Sequence, residues 1–571
     1  MKKLIVVGII ILLVGMSIPS TGINVERTST VSYDGKTLYV GGSGPGNYTR
    51  IQDAIDDASD GDTVFVYNGT YNENLIVNKT INLIGENKNL TIIDGNNISN
   101  LDVIIIYSDN VIINEFTIRN SGNKWPDDVG IDIRANNSYI SNNILDNNYM
   151  GIYLFNVINC IISENNISNS SGRDIQLDFH SNNNTIGNNN LEHGISINGE
   201  RNIISNNTVQ GALRIDKGYN IVRDNKLKEG LDINPKVIND VDLSNSINGK
   251  PIYYYVNETG LTVPTDAAEI ILVNCQNITI SNYEFNHENA RAIIIGLSSH
   301  ILISNNIFRN ESSAIRIEAS SNNTIIQNEI YSCISGISLL VKSNDNIVEK
   351  NILVGFETQS WIGRGLEVVD SQRNIILTNT VSEFQEVGIW LYSDSNENKI
   401  YHNSLFNNRI NAIDECYNTW DNSYPSGGNY WDDYNGTDSD GDGIGDTPYN
   451  ISDGNNQDSY PLLEPFGMTI LQGSVKFGLL KQELSLKNIG NHTAFNIQWS
   501  IRIDGGFLLF GRESSGNVSK PLLRNKEIVV TSNLILFGLG SIRITIDVWA
   551  DNVPKDSETR RGRLFLFLLM T

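Results

Sequence analysis

The densest chemistry in the sequence lies in one short loop, Asp438-Ser439-Asp440-Gly441-Asp442-Gly443-Ile444-Gly445-Asp446. Carboxylates at alternate positions can wrap around Ca2+, a hard cation that takes about six to eight oxygen ligands. Asp438, Asp440 and Asp442 occupy the first, third and fifth places of an EF-hand-type loop, and Gly443 sits at its sharp turn. Ile444 stands where a backbone carbonyl would ligate, and Asp446 takes the ninth place. The twelfth place is Tyr449 instead of a bidentate Glu, so the loop is not a full EF-hand; Asp453 and Asp458 are the carboxylates at hand to replace it. The expectation is a structural Ca2+ held by Asp438, Asp440, Asp442, Ile444 and Asp446. The competing reading is a solvated acidic loop.

Other reactive side chains are scattered. Copper prefers clustered Met, Cys or His, but His180, His193, His287, His300, His402 and His492 include no pair at ligand spacing, so the sequence does not support a copper site. Cys160, Cys275, Cys333 and Cys416 are too far apart for a disulfide framework or a metal cluster and read as small buried residues. Asp127, Asp128 and Asp132, with Asp174 and Asp178, can reach one face of a repeating fold. An inverting glycosidase needs two such carboxyls with a water between them, yet the expected Asn-Thr-Asp and Asp-Asp motifs are missing. These aspartates therefore read as a solvated acidic face. No basic cluster beside an acidic site suggests a lyase. Tyr253, Tyr254, Tyr255, Trp361, Trp390, Tyr392, Trp420, Tyr430 and Trp431 are candidates for stacking on sugars, although strand alternation must turn part of "IYYYV" inward.

These groups must be positioned by a repeat. Phrases such as "ISNNILDN", "IISENNIS", "ILISNNIFRN" and "KIYHNSLFNN" place Asn143, Asn166, Asn190, Asn207 and Asn225, then Asn306, Asn328, Asn351, Asn379 and Asn403, at the spacing of a solenoid. Aliphatic residues alternate inward, and Asn or Gly takes the bends and can stack from rung to rung. Before the repeats, Ile51, Ala54, Ile55 and Ala58 form one apolar helical face that can cap the first rung. The opening stretch and these repeats resemble a right-handed parallel β-helix of the pectin-lyase-like type. The pattern breaks within 246–275, where Gly249-Lys250-Pro251-Ile252-Tyr253-Tyr254-Tyr255, Val263-Pro264, Asp266-Ala267 and Val273-Asn274-Cys275 resemble the NosD-like segment of exported archaeal surface proteins. That resemblance implies a link to copper-enzyme maturation as one alternative function.

The fold class expected is therefore all-β: a parallel β-helix over 36–420 with a short N-terminal capping helix, a Gly/Asp/Asn-rich loop over 421–464, and a C-terminal β-sandwich over 467–571. "LSLKNIGNHTAFNIQWSIRIDGG" is similar to immunoglobulin-like modules. Residues 1–22 read as a signal peptide, with an uncleaved anchor as the alternative. Beyond them no stretch reads as a transmembrane segment. A net charge of −24 argues against a nucleic-acid partner. The expectation is a secreted or cell-surface protein that engages surface glycans or envelope components without catalysis, the alternative being a polysaccharide hydrolase or lyase. Sequons, among them Asn47, Asn68, Asn78, Asn277 and Asn491, mark possible glycosylation positions. Oligomeric state is not legible in the sequence.

Overall fold

The computed structural model describes residues 35–124, 128–356, 363–477, 481–510, 512–532, 537–566 and 568–570. The expected signal peptide, Asp127 and Trp361 lie outside them. Among the described residues there is one helix, Ile51–Asp57, and otherwise strands and turns. No helix among these residues is long and apolar enough to cross a membrane.

The helix has no side-chain cap of its own. Its first amides, those of Ile51 and Gln52, donate instead to the Glu73 carboxylate at 2.8 and 3.1 Å. Its apolar face, Ile51, Ala54 and Ile55, is fully buried on the first rung, which would otherwise expose a hydrophobic cross-section. Three parallel sheets follow. They begin at Thr37–Val40, Gly69–Asn72 and Leu75–Val77 and end at Asp240–Val241, Ser246–Ile247 and Leu231–Ile233. A second stack of three sheets runs from Lys250–Val256, Thr279–Ser281 and Glu284–Phe285 to Ala412–Asp414, Lys399–Tyr401 and Tyr430–Trp431.

Asparagine ladders hold the bends. Asn143, Asn165, Asn189, Asn207, Asn225 and Asn245 are joined side chain to side chain at 2.9–3.1 Å. In the second stack Asn306, Asn328, Asn351, Asn379, Asn403 and Asn429 do the same. The residue just before a ladder Asn adopts left-handed backbone geometry, as at Asn142, Glu164, Asn206, Gln327 and Lys350, so the turn is made there and the amide is aimed inward. Two expected ladder members are corrected: Asn166 and Asn190 begin strands and point to solvent. Their predecessors Asn165 and Asn189 are buried instead, because in a run of asparagines the first inward position takes the ladder.

The break at 246–275 joins two hydrophobic cores. Ser246–Ile247 turns back antiparallel onto Lys250–Val256, which then pairs in parallel with Glu269–Val273. Along Glu269–Val273 and Arg291–Gly296, Ile271 and Ile294 belong to the first core and Ile270 and Ile293 to the second. These strands are buried on both faces, so the outer face of the second stack closes the open end of the first. Tyr254 faces the first core, while Tyr253 and Tyr255 stack on the second side at 5.9 Å. The three tyrosines are hinge packing, and their candidacy as exposed sugar platforms is withdrawn.

The C-terminal region is a sandwich of two antiparallel sheets. One contains Leu471–Phe477, Gln482–Asn488 and Glu527–Ser532; the other contains Glu513–Asn517, Gln498–Phe510, Phe537–Ala550, Val553–Leu566 and Leu568–Met570. Their inner faces share one apolar core built on Leu484, Leu486, Trp499, Ile501, Ile544 and Val548.

Candidate functional site

The most distinctive outward face lies on the sheet that contains Val129–Ile133 and Met150–Leu154. The register places Ile105, Asp132, Tyr153, Gln176, Ser196, Arg214 and Asp232 in one row across successive strands. Strand alternation turns this row away from Ile131, Ile133, Ile152 and Leu154, which are fully buried. Asp132 holds Arg134 through Nε at 2.8 Å. At the strand ends Tyr107, Arg134 and Phe155 succeed one another on adjacent rungs, spaced by about 4.8 Å. The Arg134 guanidinium lies 5.9 Å from the Tyr107 ring centre and 5.8 Å from that of Phe155. On the next rungs the same position passes to Asp178, Asn198 and Asp216, and two more exposed rings stand farther into the turns on that side: Phe179 lies under Lys217 and Tyr219 under Arg201. Tyr107, Phe155, Phe179 and Tyr219 are 51, 44, 59 and 68% exposed. Burial, reinforced by Asp178 and Asp132, pushes the Tyr153 hydroxyl up to about 12, so it stays protonated as a donor.

The reading of the acidic residues as a solvated face is corrected. Asp128, Asp132 and Asp174 are fully buried. Asp128 accepts the amides of Asn100 and Lys124 at 2.6 Å each, and Asp174 accepts that of His193 at 2.7 Å. These carboxylates close turns whose backbone amides have no strand partner. Asp178 accepts the amide of Phe179 and so positions that exposed ring.

Other carboxylates on this side of the solenoid are paired with arginine. Asp232, on the last strand of its sheet, meets Arg291 and Arg316 at 3.0 Å each, across the seam between the two stacks. Glu318 takes Arg316 and Lys236, and Arg364 takes Glu367 and Glu386. Trp390 lies under Arg364 at 4.4 Å, and the Tyr392 hydroxyl donates to Glu367 at 2.7 Å. Trp390 and Tyr392 thus remain half-buried surface residues. Trp420 and Trp431 are core, their indole N–H groups donating to Asp414 and Asp458. Sequence reasoning missed Tyr107, Phe155, Phe179 and Tyr219. The available signal was an aromatic placed one or more positions after the inward aliphatics of a strand, as in "IYLF" and "LDF".

In the acidic loop, oxygens of Asp438, Asp440 and Asp442 converge within 4.8 Å of one another. Asp438 accepts the amides of Asp442 and Gly443 at 3.0 and 2.9 Å, and Asp442 accepts that of Ile444 at 2.9 Å. Burial and the neighbouring Asp440 and Asp438 charges hold the Asp442 carboxyl above its ordinary range, against the bonds from Ile444 and Tyr424. Asp446 lies apart from this trio and accepts Ser439 N–H at 2.8 Å. Ile444 is buried with Leu462 and Phe495. Lys520, from the sandwich, places its ammonium 2.7 Å from Asp440. Asp458 is committed to Asn429, Trp431 and Tyr460.

The histidines do not converge. His287 is buried against Glu311, and His402 against Ser426 and Phe466. Among the described residues the four cysteines are free thiols; Cys416 is half-buried, which departs from the expectation that all four are buried.

Solved structures similar to the chain include the A-module of Azotobacter vinelandii mannuronan C-5 epimerase AlgE4, 14% identical, covering 65% of this chain and 92% of that one, with a TM-score of 0.23. The catalytic domain of a GH87 alpha-1,3-glucanase is 13% identical over 60% of this chain and 65% of that one, TM-score 0.32. The pectin methylesterase from Aspergillus niger is 16% identical over 39% of this chain and 88% of that one, TM-score 0.26. No curated protein matches. The family model described as periplasmic copper-binding protein (NosD) matches residues 55–229 and 224–436. It covers both stacks and the seam between them, and the chain belongs to the NosD family.

Proposed function

We propose that the protein is an exported glycan-binding module that holds an extended saccharide along the Tyr107–Arg134–Phe155 edge without cleaving it. The observation that carries this reading is the guanidinium between two exposed rings, with the rings of Phe179 and Tyr219 exposed in the turns of later rungs. Ring faces bind the apolar faces of pyranoses, and a row of exposed aromatics on a protein surface marks a contact site. Arg134 is held by Asp132 and keeps both rings in place, so little side-chain freedom remains to be lost on binding. Arg214 and Gln176 on the adjoining row offer polar contacts to hydroxyl or carboxylate groups. The pairing of Asp132, Asp232, Glu318 and Glu367 with arginines supports binding over acid–base chemistry. On a glycan array the protein is expected to retain a defined set of oligosaccharides. The Tyr107→Ala/Phe155→Ala pair should weaken retention by about tenfold or more. Undiminished retention by the folded variant would overturn the assignment.

The residues present do not fit a copper centre. Among the described residues the one group of three candidate ligands is the aspartate trio, whose hard oxygens suit calcium. We propose a structural Ca2+ at Asp438, Asp440 and Asp442, with the Ile444 carbonyl beside them and Asp446 closing the loop. Lys520 competes for Asp440, so the ion would displace it. Chelation is expected to lower the melting temperature, and Asp440→Ala to abolish that difference. Equal melting with and without chelator would exclude the ion.

A further inference from the structure

The distal end of the larger sandwich sheet carries an apolar row followed by unneutralised arginines. The register sets Phe507 beside Leu539 and Leu539 beside Phe565. These side chains are 66, 46 and 57% exposed, and Leu509, two residues on from Phe507, is 54% exposed. Next along the same face Ser541 pairs with Arg563, and Arg543 lies between Asp504 and Arg561. Asp504 is taken by Arg502 at 3.3 Å. Among the described residues Arg543, Arg561 and Arg563 have no carboxylate partner. Like charges directly opposite on neighbouring strands repel, so the Arg543–Arg561 pair is unfavourable unless an anion lies over it, and the chain as a whole carries −24.

We propose that this sheet end docks on an anionic lipid bilayer, with Phe507, Leu509, Leu539 and Phe565 entering the interface and Arg543, Arg561 and Arg563 meeting lipid phosphates. Arg543 is four steps on from Leu539, about 13 Å along a strand. That spacing fits apolar side chains sunk about 5–10 Å below the headgroups with cations at headgroup level. A second copy of the chain fits poorly, because self-association through this face would set the arginines against each other. The charge complementarity favours anionic lipid, which attracts each nearby basic residue.

The test uses the full chain and a local readout, hydrogen exchange of Gly505–Leu509 and Gly538–Gly540, so that other segments do not contribute. Vesicles of phosphatidylcholine with phosphatidylglycerol should slow exchange there, and phosphatidylcholine alone should do so less. Phe507→Ser/Phe565→Ser should reduce vesicle partition by about tenfold or more. Arg543→Glu/Arg561→Glu should remove the preference for phosphatidylglycerol, and added salt should do likewise. These side chains are exposed, so both variants should fold, which circular dichroism checks. The proposal is overturned if vesicles leave exchange unchanged, if the folded variants partition as the parent does, or if protection rises with protein concentration in the absence of lipid, which marks a self-interface.

Discussion

Replacing Asn351 with leucine is expected to destabilise the second stack by about 4 kcal/mol or more, as the sum of several orphaned buried groups at about 1–3 kcal/mol each. The Asn351 side-chain oxygen accepts the backbone and side-chain amides of Asn328. Its own amide donates to Ile325, Glu349 and Asn379. Leucine makes none of these five bonds and leaves Asn328, Ile325 and Asn379 short of a partner in an interior that water does not reach. The added apolar volume offsets only part of the loss, since the site is shaped for a planar amide. Ile352, the next residue, is 39% exposed, so Ile352→Thr should shift stability by no more than about 0.5 kcal/mol. Urea unfolding followed by circular dichroism checks both. A solenoid can unfold in segments, so tryptophan fluorescence should be recorded in parallel, to see whether the loss is confined to one stack.

The second large effect is on pH dependence. His402 is 3% exposed, stacked on Phe466 at 3.8 Å, with Nε2 3.0 Å from the Ser426 carbonyl. Burial pulls its pKa from 6.5 down to about 4, against the weaker opposing effect of the Ser426 bond. Between those values the unfolded chain binds the extra proton and the folded chain does not. Stability from this group is therefore complete above about pH 6.5 and falls as pH drops toward 4, by about 3 kcal/mol across the window. Buried carboxyls such as Glu269, Glu311 and Asp414, raised chiefly by desolvation, act in the opposite direction. The informative quantity is thus the difference between the parent and His402→Gln, measured at both pH values. The parent should lose about 3 kcal/mol more than the variant; equal losses would show that His402 titrates normally. Ser426 also bonds Asp551 of the sandwich, so acidification should loosen this junction first.

The repeat, the capping helix and the change to longer alternating strands were legible because each follows from a local period. The ladder was legible in kind but slipped by one at Asn166 and Asn190, since adjacent asparagines differ only in which one follows the left-handed residue. The acidic face was misread because Asp128 and Asp174 look solvated until the turns they close are seen, and Asp132 until the Arg134 it holds is seen. The Tyr107–Arg134–Phe155 edge could not be read from spacing. Its members stand 27 and 21 residues apart by register, and only the rung lengths bring them into line. The tyrosines at the seam misled for a related reason: a strand that gives one face to each of two cores arises here from one stack closing another, which no local period records.

The central claim is that saccharide lies along the Tyr107–Arg134–Phe155 edge. The most direct measurement is hydroxyl-radical footprinting of the protein with the oligosaccharide it retains best. The account predicts that Tyr107, Phe155 and Phe179 become protected together and that Trp390 and Tyr392 do not change. Protection confined to Trp390 and Tyr392, or to the sandwich, with Tyr107 and Phe155 as reactive as in the free protein, would contradict it.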